Sequence, residues 1–271
     1  MTRTLALVLT GVLAGILVFV GVEMLLRRDL PGDTPSPELA VLLIAASLVL
    51  RLRVSTPIVL RAADLVAERP EGTADDVHFT EALAASVIGH VSRPGDLVLD
   101  PFAGYGTTLA VAERMGRRAI GIELVPEHLE IARRRTGEAA RLILGDARRL
   151  SQLVHEPVDL VLTSPPYMPG TGHQENPLTG YTTQDGNYVV YLEELGSVFG
   201  QVATLLRPGG QIVVNVANVI GIDGSVTSLA TDLAGVIDEH VPLMGITTLQ
   251  WDEPPVGLDG DYLLWFARGG A

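Results

Sequence analysis

The chain contains no cysteine and no lysine, and each absence excludes a class of site. Without cysteine it has neither a disulfide framework nor a thiolate metal site, so a reducing intracellular compartment imposes no cost on it. The six histidines show no HxxxH or HxH spacing, and we therefore expect no structural metal. All 19 basic residues are arginines.

Cations are scarce in the C-terminal part of the chain. From residue 71 onward there are 12 arginines against 26 aspartates and glutamates, a balance of −14. Cationic contacts with phosphates supply much of the affinity for nucleic acids, so this balance disfavours an extensive footprint on duplex DNA. Nine arginines nevertheless cluster, and they form either a local basic strip or solvated helix faces. They are Arg114, Arg117, Arg118, Arg133, Arg134, Arg135, Arg141, Arg148 and Arg149.

Long apolar runs occur only before residue 70. The run 5–26 is long enough, at about 1.5 Å per residue, to cross a hydrocarbon core of about 30 Å, and it predicts a transmembrane helix. A second run, 39–50, is shorter and fits a tilted span, an interfacial helix or a packed helix. We therefore expect an N-terminal hydrophobic helical segment with one or two transmembrane helices over 1–70 and a second domain over 71–271.

Arginines follow both apolar runs, which favours an orientation that keeps the C-terminal domain in the cytoplasm. This predicts a membrane-anchored protein with a cytoplasmic domain. The alternatives are a cytoplasmic protein with an additional helical extension, a misassigned start and a cleaved signal peptide. No A-x-A site follows the first run, which argues against the last of these.

Beyond Asp76, apolar β-branched runs alternate with helical patterns, which predicts an α/β fold with a parallel sheet and helices on both faces. The helix after the first strand is expected over 107–115, with Thr107 or Thr108 as N-cap and Gly116 as its end. The seven predicted strands are 97–99, 118–122, 141–144, 160–162, 211–216, 247–251 and 262–267.

Two motifs follow predicted strands. Asp100-Pro101-Phe102-Ala103-Gly104-Tyr105-Gly106-Thr107-Thr108 follows the first strand, and its glycines let the backbone approach a ligand closely. Ser164-Pro165-Pro166-Tyr167, hereafter the tetrad, follows the fourth. Acidic residues also end the first three strands: Asp100, Glu123 and Asp146. Because ligands bind at the carboxyl edge of such sheets, these residues indicate one shared site.

A glycine-rich turn after one strand and a polar-Pro-Pro-aromatic turn after a later one resemble the amino-group (N4-cytosine and N6-adenine) DNA methyltransferases. These are class I enzymes that depend on S-adenosylmethionine (SAM). The resemblance covers residues 77–271 and implies a Rossmann-like seven-stranded sheet with SAM as cofactor. Serine at the first tetrad position resembles the N4-cytosine branch more than the N6-adenine branch.

The resemblance implies a cofactor site. Asp100 would face the amino group of SAM with Phe102 beside it, Glu123 would bind the ribose hydroxyls, and Asp146 would accept a hydrogen bond from the adenine amino group. A carboxylate suits a ribose without a 2′-phosphate. The resemblance also implies cofactor contacts by Gly104, Gly106 and Thr107 in the turn. Phe79 and Thr80 would lie near the methionine end of SAM, although Thr80 could instead cap a helix.

The tetrad carries the implied chemistry. An exocyclic amine on a base is a poor nucleophile because its lone pair is delocalised into the ring. In the resembling enzymes, acceptors corresponding to Ser164 Oγ and the Pro165 carbonyl draw that lone pair out of conjugation, and proline rigidity at Pro165 and Pro166 holds the carbonyl in place. Tyr167 would stack on a base turned out of its helix. Transfer is direct, and the absence of cysteine excludes the thiolate route to C5 of cytosine.

Other readings stay open at this point. The chain has no insertion long enough for a separate target-recognition domain. Nucleic acid is the expected partner, with DNA favoured over RNA, and the oligomeric state is undetermined. The alternatives are an RNA base (guanine N2-type) methyltransferase, a protein-glutamine methyltransferase and a membrane-tethered SAM-binding protein without turnover. The polar segment 168–187, with Tyr181 and Tyr188, covers the substrate or is merely irregular, and Asn215 and Asn218 are candidate supporting groups.

Overall fold

The computed structural model describes residues 58–71, 73, 79–168, 174–221, 224–254 and 257–269. The predicted transmembrane helix over 5–26 and the second run over 39–50 lie outside these residues. Within the described ranges, no helix is both long and apolar enough to cross a membrane. The helices are α1 (Ala62–Ala67), α2 (Glu81–Val91), α3 (Thr107–Arg114), α4 (Pro126–Arg135), α5 (Leu150–Leu153), α6 (Tyr188–Leu205) and α7 (Leu229–Asp238).

The described strands are β1 (Ile58–Leu60), β2 (Leu97–Asp100), β3 (Arg118–Glu123), β4 (Ala140–Leu144), β5 (Val158–Thr163), β6 (Leu206–Ile220), β7 (Val226–Thr227), β8 (Leu243–Trp251) and β9 (Leu258–Ala267). They form one mixed sheet in the order β1-β8-β9-β6-β5-β2-β3-β4, with β7 paired to β6. The pairs β6–β9, β8–β9 and β6–β7 are antiparallel, and the other pairs are parallel.

The α/β class was predicted correctly, but the strand count was wrong: the described part of the sheet has nine strands, not seven, and it is mixed rather than parallel. All seven predicted strands are present. The two additional strands, β1 and β7, span three and two residues, which is too short for a periodic pattern. Tertiary pairing alone defines them.

Strand β1 also bears on the domain division. It pairs in parallel with β8, with Ile58 opposite Leu249, and α1 follows it directly. Residues 55–271 form one compact unit. This unit therefore begins before the predicted boundary between residues 70 and 71, because apolar residues assigned to the N-terminal segment extend the sheet.

The core lies on both faces of the sheet. On β6, Ile212 and Val214 face a cluster formed with α6 and α7, whereas Val213 faces a second cluster formed with α2 and α3. Side chains alternate along a strand, so a strand buried on both faces is apolar at every position. Helices on both faces were predicted, and this is what the structure shows.

Strand β6 begins with Leu206-Arg207-Pro208-Gly209-Gly210, a sequence whose composition is typical of a turn. Leu206 pairs with Val158 and Gln211 pairs with Leu160, so the intervening residues bulge out of the register. Gly209 has a φ of 77°, which a glycine adopts without strain. The Pro-Gly-Gly composition thus marks a bulge at the start of a strand.

Parallel strands β2, β3, β4 and β5 end at one edge of the sheet. That edge carries Asp100 at the end of β2 and Glu123 at the end of β3. Asp146 follows β4 and Ser164 follows β5. The fold therefore brings together the acidic strand ends and the tetrad, as the sequence predicted.

Candidate functional site

Two adjoining cavities open at this carboxyl edge, with volumes of about 240 and 340 Å³. Glu123, His128 and Asp146 line the first cavity. Phe79 and Asp100 line the second. Together they have the size of a small-molecule site. The residues that line both cavities are Phe102, Gly104, Ser164, Pro166 and Tyr181.

The glycine-rich turn forms the floor where the cavities meet. Gly104 and Gly106 have φ values of 51° and 81°, in the left-handed region that favours glycine. A Cβ on Gly106 would lie 2.8 Å from the Cβ of Ala132, whereas a Cβ on Gly104 would meet no atom within 4 Å. Gly106 is thus required for packing on α4, and Gly104 leaves open space beside the backbone. Gly106, rather than the predicted Thr107 or Thr108, is the N-cap of α3.

Arg135 supports this turn from α4. Its Nη1 donates to the carbonyl of Tyr105 at 2.7 Å and to Thr107 Oγ1 at 3.2 Å. Its Nη2 pairs with Glu81 at 3.1 Å. Thr107, a predicted cofactor residue, lines the second cavity and is held by this arginine. Nothing in the local sequence of α4 distinguishes Arg135 from its two neighbours, so sequence reasoning missed it.

Asp100 is a buried carboxyl group in the second cavity, 4% exposed. Its Oδ1 accepts from the Thr163 hydroxyl at 2.7 Å and from the Phe102 N–H at 3.0 Å. Burial raises the pKa of Asp100 to about 6, although hydrogen bonds from the surrounding donors favour its charged form. The carboxyl is therefore ionised at neutral pH and takes up a proton as the pH falls through about 6.

Glu123 ties the glycine-rich turn to the first cavity. Its Oε2 accepts from the Gly104 N–H at 2.7 Å, and its Oε1 accepts from the Val125 N–H at 2.8 Å. The side chain is 8% exposed and lines the cavity. Each carboxylate oxygen can accept more than one hydrogen bond, so Glu123 shapes the turn and still offers acceptors to hydroxyl groups.

Asp146 is more fully engaged than predicted. Both of its oxygens accept from the Arg148 guanidinium, at 2.7 to 3.0 Å, and Oδ1 also accepts from the Arg148 N–H. Arg148 in turn bonds Glu194 of α6 at 2.9 Å. Partial burial would raise the pKa of Asp146, but the bonds from Arg148 outweigh it and hold the pKa below its usual value. Asp146 and Arg148 both line the first cavity, and contact between Asp146 and adenine stays a prediction.

The arginine cluster does not form a free basic strip. Six of the nine arginines bond groups of this chain. Of these six, Arg114, Arg133 and Arg135 lie on helices, as the interpretation as helix faces requires, whereas Arg117 is buried before β3, Arg141 lies on β4 and Arg148 follows β4. Charges neutralised in this way contribute little to the attraction of phosphates. The pairs are Arg114 and Arg135 with Glu81, Arg133 with Glu130, Arg141 with Glu156, and Arg148 with Asp146 and Glu194, while Arg117 donates to the carbonyls of Ile88, Ser92 and Met115.

The tetrad begins one residue after β5, and its own polar groups are largely occupied. Tyr191 Oη donates to the Pro166 carbonyl at 2.8 Å, and Tyr181 Oη donates to the Tyr167 carbonyl at 2.8 Å. No described residue donates to the carbonyl of Pro165. That carbonyl is therefore an available acceptor in a rigid turn, beside the second cavity that Pro165 lines.

Ser164 lies at the seam of the two cavities, with its Oγ 3.2 Å from Tyr167 Oη. Burial and, next, the charge of Asp261 raise the pKa of the Tyr167 hydroxyl well above its ordinary value. Tyr167 is thus a neutral phenol whose hydroxyl orients Ser164. The structure places its ring at the second cavity, and its stacking on a base stays a prediction.

Of the remaining predicted residues, one lines a cavity and the others make hydrogen bonds away from both cavities. Phe79 lines the second cavity, but Thr80 lines neither. The Thr80 side chain accepts from the Leu83 N–H and caps α2, which is the alternative considered from the sequence. Asn215 and Asn218 also lie off the cavities: Asn215 bonds Asp261 at 2.7 Å, and Asn218 accepts from the Ala230 N–H at the start of α7.

Asp261 is a buried carboxyl that the sequence did not single out. It is 4% exposed and accepts from Asn215 and from Trp251 Nε1, the latter at 3.0 Å. Burial raises its pKa to about 6. Within the described part of the chain, no group of three or more His, Cys, Asp or Glu side chains is arranged to hold a metal ion.

The sheet order, the glycine-rich turn and the acidic strand ends define an α/β fold that resembles the fold of the SAM-dependent methyltransferases. Comparison with known proteins agrees. Residues 67–134 match the DNA methylase family model. This match confirms the predicted resemblance to the amino-group DNA methyltransferases, a family of enzymes that use SAM.

Individual relatives match over a short region. The chain is 51% identical over 55 residues to the type II methyltransferase M2.DpnII of Streptococcus pneumoniae, which is 20% of each protein. It is 48% identical over 58 residues to the type II methyltransferase M.HinfI of Haemophilus influenzae, 21% of this chain and 16% of the relative. The matched part thus spans about a fifth or less of these relatives.

One solved structure is similar in fold over a larger part of the chain than these sequence matches. TrmN from Thermus thermophilus superposes with a TM-score of 0.51 at 19% identity, covering 70% of this chain and 49% of that one. At this identity the likeness establishes the α/β fold alone.

The pH dependence of cofactor binding tests the role of Asp100. Because its carboxylate would face a cationic amino group, we expect the association constant for SAM to fall as the pH drops through about 6, approaching tenfold per pH unit. Titration calorimetry between pH 5 and 8 measures this. Asp100→Asn should weaken binding at neutral pH and flatten the profile, whereas Asp261→Asn should leave the profile unchanged. A wild-type profile that is flat below pH 6 would contradict the assignment.

Proposed function

We propose that this protein is a SAM-dependent methyltransferase that modifies the exocyclic amino group of a nucleic-acid base, with DNA as the favoured polymer and N4 of cytosine or N6 of adenine as the acceptor. One observation carries the proposal. Two oxygen acceptors, Ser164 Oγ and the Pro165 carbonyl, stand in a rigid turn beside the seam of two cavities, both of which are lined by acidic residues suited to the cofactor.

The residues of the cavities fit SAM. The ribose hydroxyls are donors that the Glu123 carboxylate can accept, and Asp100 supplies a negative charge for the ammonium group. The open space beside Gly104 lets a ligand lie directly on the turn. When bound there, SAM supplies an electrophilic methyl group on a positively charged sulfur.

The tetrad prepares the nucleophile. An amino group conjugated with a ring is planar, and its nitrogen lone pair is unavailable. Hydrogen bonds from its two N–H groups to Ser164 Oγ and the Pro165 carbonyl favour the pyramidal form, in which the lone pair points away from both acceptors. Neighbouring carbonyls are already bonded to Tyr191 and Tyr181, so the turn does not rearrange when the amine binds.

Methylation of any conjugated, planar amino group requires the same chemistry, so the tetrad by itself does not distinguish DNA from RNA or protein as the substrate. Other features of the chain favour one of them. The match to the DNA methylase family model supports a DNA base, and serine at the first tetrad position supports N4 of cytosine. The neutralised arginines favour a base that is presented outside the duplex, because few phosphate contacts are available to hold the helix.

An assay with radiolabelled SAM tests the proposal. The full chain is incubated separately with single-stranded DNA, duplex DNA, RNA and a protein extract, and label in digested nucleosides or amino acids is identified by chromatography. We expect label in N4-methylcytosine or N6-methyladenine of DNA. Label only in RNA or in glutamine would reject DNA as the substrate. SAM binding without transfer to any polymer would reject the proposal that the protein is a methyltransferase. Assaying membrane and soluble cell fractions separately tests the proposed anchor over residues 5–26.

A further inference from the structure

A compact loop follows the tetrad, and its contacts hold it in one conformation. The 176–183 loop is closed by Asn176, whose N–H donates to the Thr183 carbonyl at 3.1 Å and whose Oδ1 accepts from the Leu178 N–H at 3.0 Å. Asn176 and Leu178 are buried, at 6% and 4% exposure, so the loop is anchored in the core. Among the described residues of the loop, Tyr181 alone combines a large aromatic ring with exposure, at 41%.

The backbone of Tyr181 is strained. Its φ is 59°, and it is the only non-glycine residue with a positive φ in the described part of the chain. Such a conformation costs free energy for a bulky residue and persists where the surrounding structure imposes it. Here the Tyr181 N–H donates to the Asn176 carbonyl at 3.0 Å and the preceding Gly180 is also left-handed, so the loop turns the ring toward the site.

The ring lies where the two cavities meet. Tyr181 lines both of them, together with Ser164 and Pro166 of the tetrad. Its hydroxyl donates to the Tyr167 carbonyl at 2.8 Å, and burial of that end of the side chain raises the pKa of Tyr181 to about 12. Tyr181 is therefore a neutral phenol at physiological pH that fixes the end of the tetrad and leaves part of its ring uncovered.

We propose that Tyr181 is a substrate-positioning residue: its ring forms the outer wall against which the target base lies, and its hydroxyl holds the tetrad in register with that base. This inference rests on the proposed function. The hydroxyl of Tyr167 hydrogen-bonds Ser164 Oγ, and Tyr167 lines the second cavity alone, whereas Tyr181 lines both. A base held outside its stack gains from an aromatic surface, because every base has a π face.

Two variants separate the ring from the hydroxyl. Tyr181→Ala removes both, and we expect KM for single-stranded DNA of mixed sequence to rise about 5- to 150-fold, the range that loss of one stacked base implies. Tyr181→Phe keeps the ring, so KM should stay within about twofold, while kcat should fall about 2- to 10-fold because the tetrad carbonyl loses its donor. The Kd of SAM, from titration calorimetry, should stay within about twofold in both.

Two controls accompany these variants. Gln184→Ala removes an exposed side chain from the same polar segment without touching either cavity, and it should change neither constant. Tyr188→Phe removes a tyrosine hydroxyl that bonds Asp232 rather than the tetrad, and it should leave kcat unchanged. Thermal unfolding of each variant shows whether the fold is retained.

The outcomes are distinct. A higher Kd of SAM in Tyr181→Ala with an unchanged KM for DNA would make Tyr181 a cover for the cofactor and overturn the inference. The inference would also be overturned if Tyr181→Ala and Tyr181→Phe both methylated DNA with the kcat and KM of the wild type. The proposed function would then stay intact. Wild-type protein that binds SAM and labels no DNA would reject the proposed function itself, and the inference with it.

Discussion

Replacing Ser164 with alanine is expected to lower kcat by about 100- to 1,000-fold, with the affinity for SAM changed by no more than about twofold. In the proposed reaction Ser164 Oγ is one of two acceptors for the amino group, and removing it would leave the lone pair in conjugation with the ring. The fold should be retained, because Ser164 is only partly buried and its side chain bonds only the Tyr167 hydroxyl among the described residues. Steady-state transfer of labelled methyl at saturating SAM and DNA measures kcat, and calorimetry measures the Kd of SAM.

Ser197→Ala is the matched control for this prediction. Ser197 is an exposed serine on α6 and lines neither cavity, so its removal should change neither constant. If Ser164→Ala transferred methyl groups at the wild-type rate, the tetrad would not be the site of the reaction. A protein that only binds SAM would show no transfer in the wild type either, which separates that alternative.

Replacing Glu123 with glutamine is expected to weaken SAM binding by about 10- to 100-fold. The glutamine amide has one acceptor oxygen, so it cannot satisfy both the Gly104 and the Val125 N–H groups, and its NH2 group would face one of them. The glycine-rich turn then loses its fixed position, and the ribose hydroxyls lose a charged acceptor. Calorimetric titration with SAM measures the loss.

Glu138→Gln is the control for Glu123→Gln. Glu138 is exposed in the connection between α4 and β4, and the substitution removes the same charge without touching the first cavity. SAM binding by Glu138→Gln should equal that of the wild type. Equal binding by Glu123→Gln would show that the first cavity does not hold the ribose.

The elements that build the site were predictable because their signals are local. An apolar run buried on both faces identifies a parallel strand, and the residue at its end is then placed at the carboxyl edge. Asp100, Glu123 and Ser164 were located in this way, and the structure places all three in the cavities. Gly106 was identified as part of the turn, although its role as N-cap of α3 depends on the position of Ala132 in α4.

Long-range partners were not predictable. Arg148 was one of nine clustered arginines in the sequence, and only the packing of α6 shows that it also pairs with Glu194, 46 residues away. Asp261 received no assignment because its partners, Asn215 and Trp251, lie on other strands. A side chain that bonds a distant element leaves no periodic trace in the chain around it.

The sequence by itself determined the α/β class, the seven main strands, the cofactor turn and the tetrad, because each depends on the spacing of neighbouring residues. Only the tertiary structure decided that the sheet is mixed and carries β1 and β7, that six of the clustered arginines are bound within the chain, and that Tyr181 joins the two cavities. Those features arise from contacts between residues far apart in the chain, whose energies depend on three-dimensional distance rather than on sequence separation.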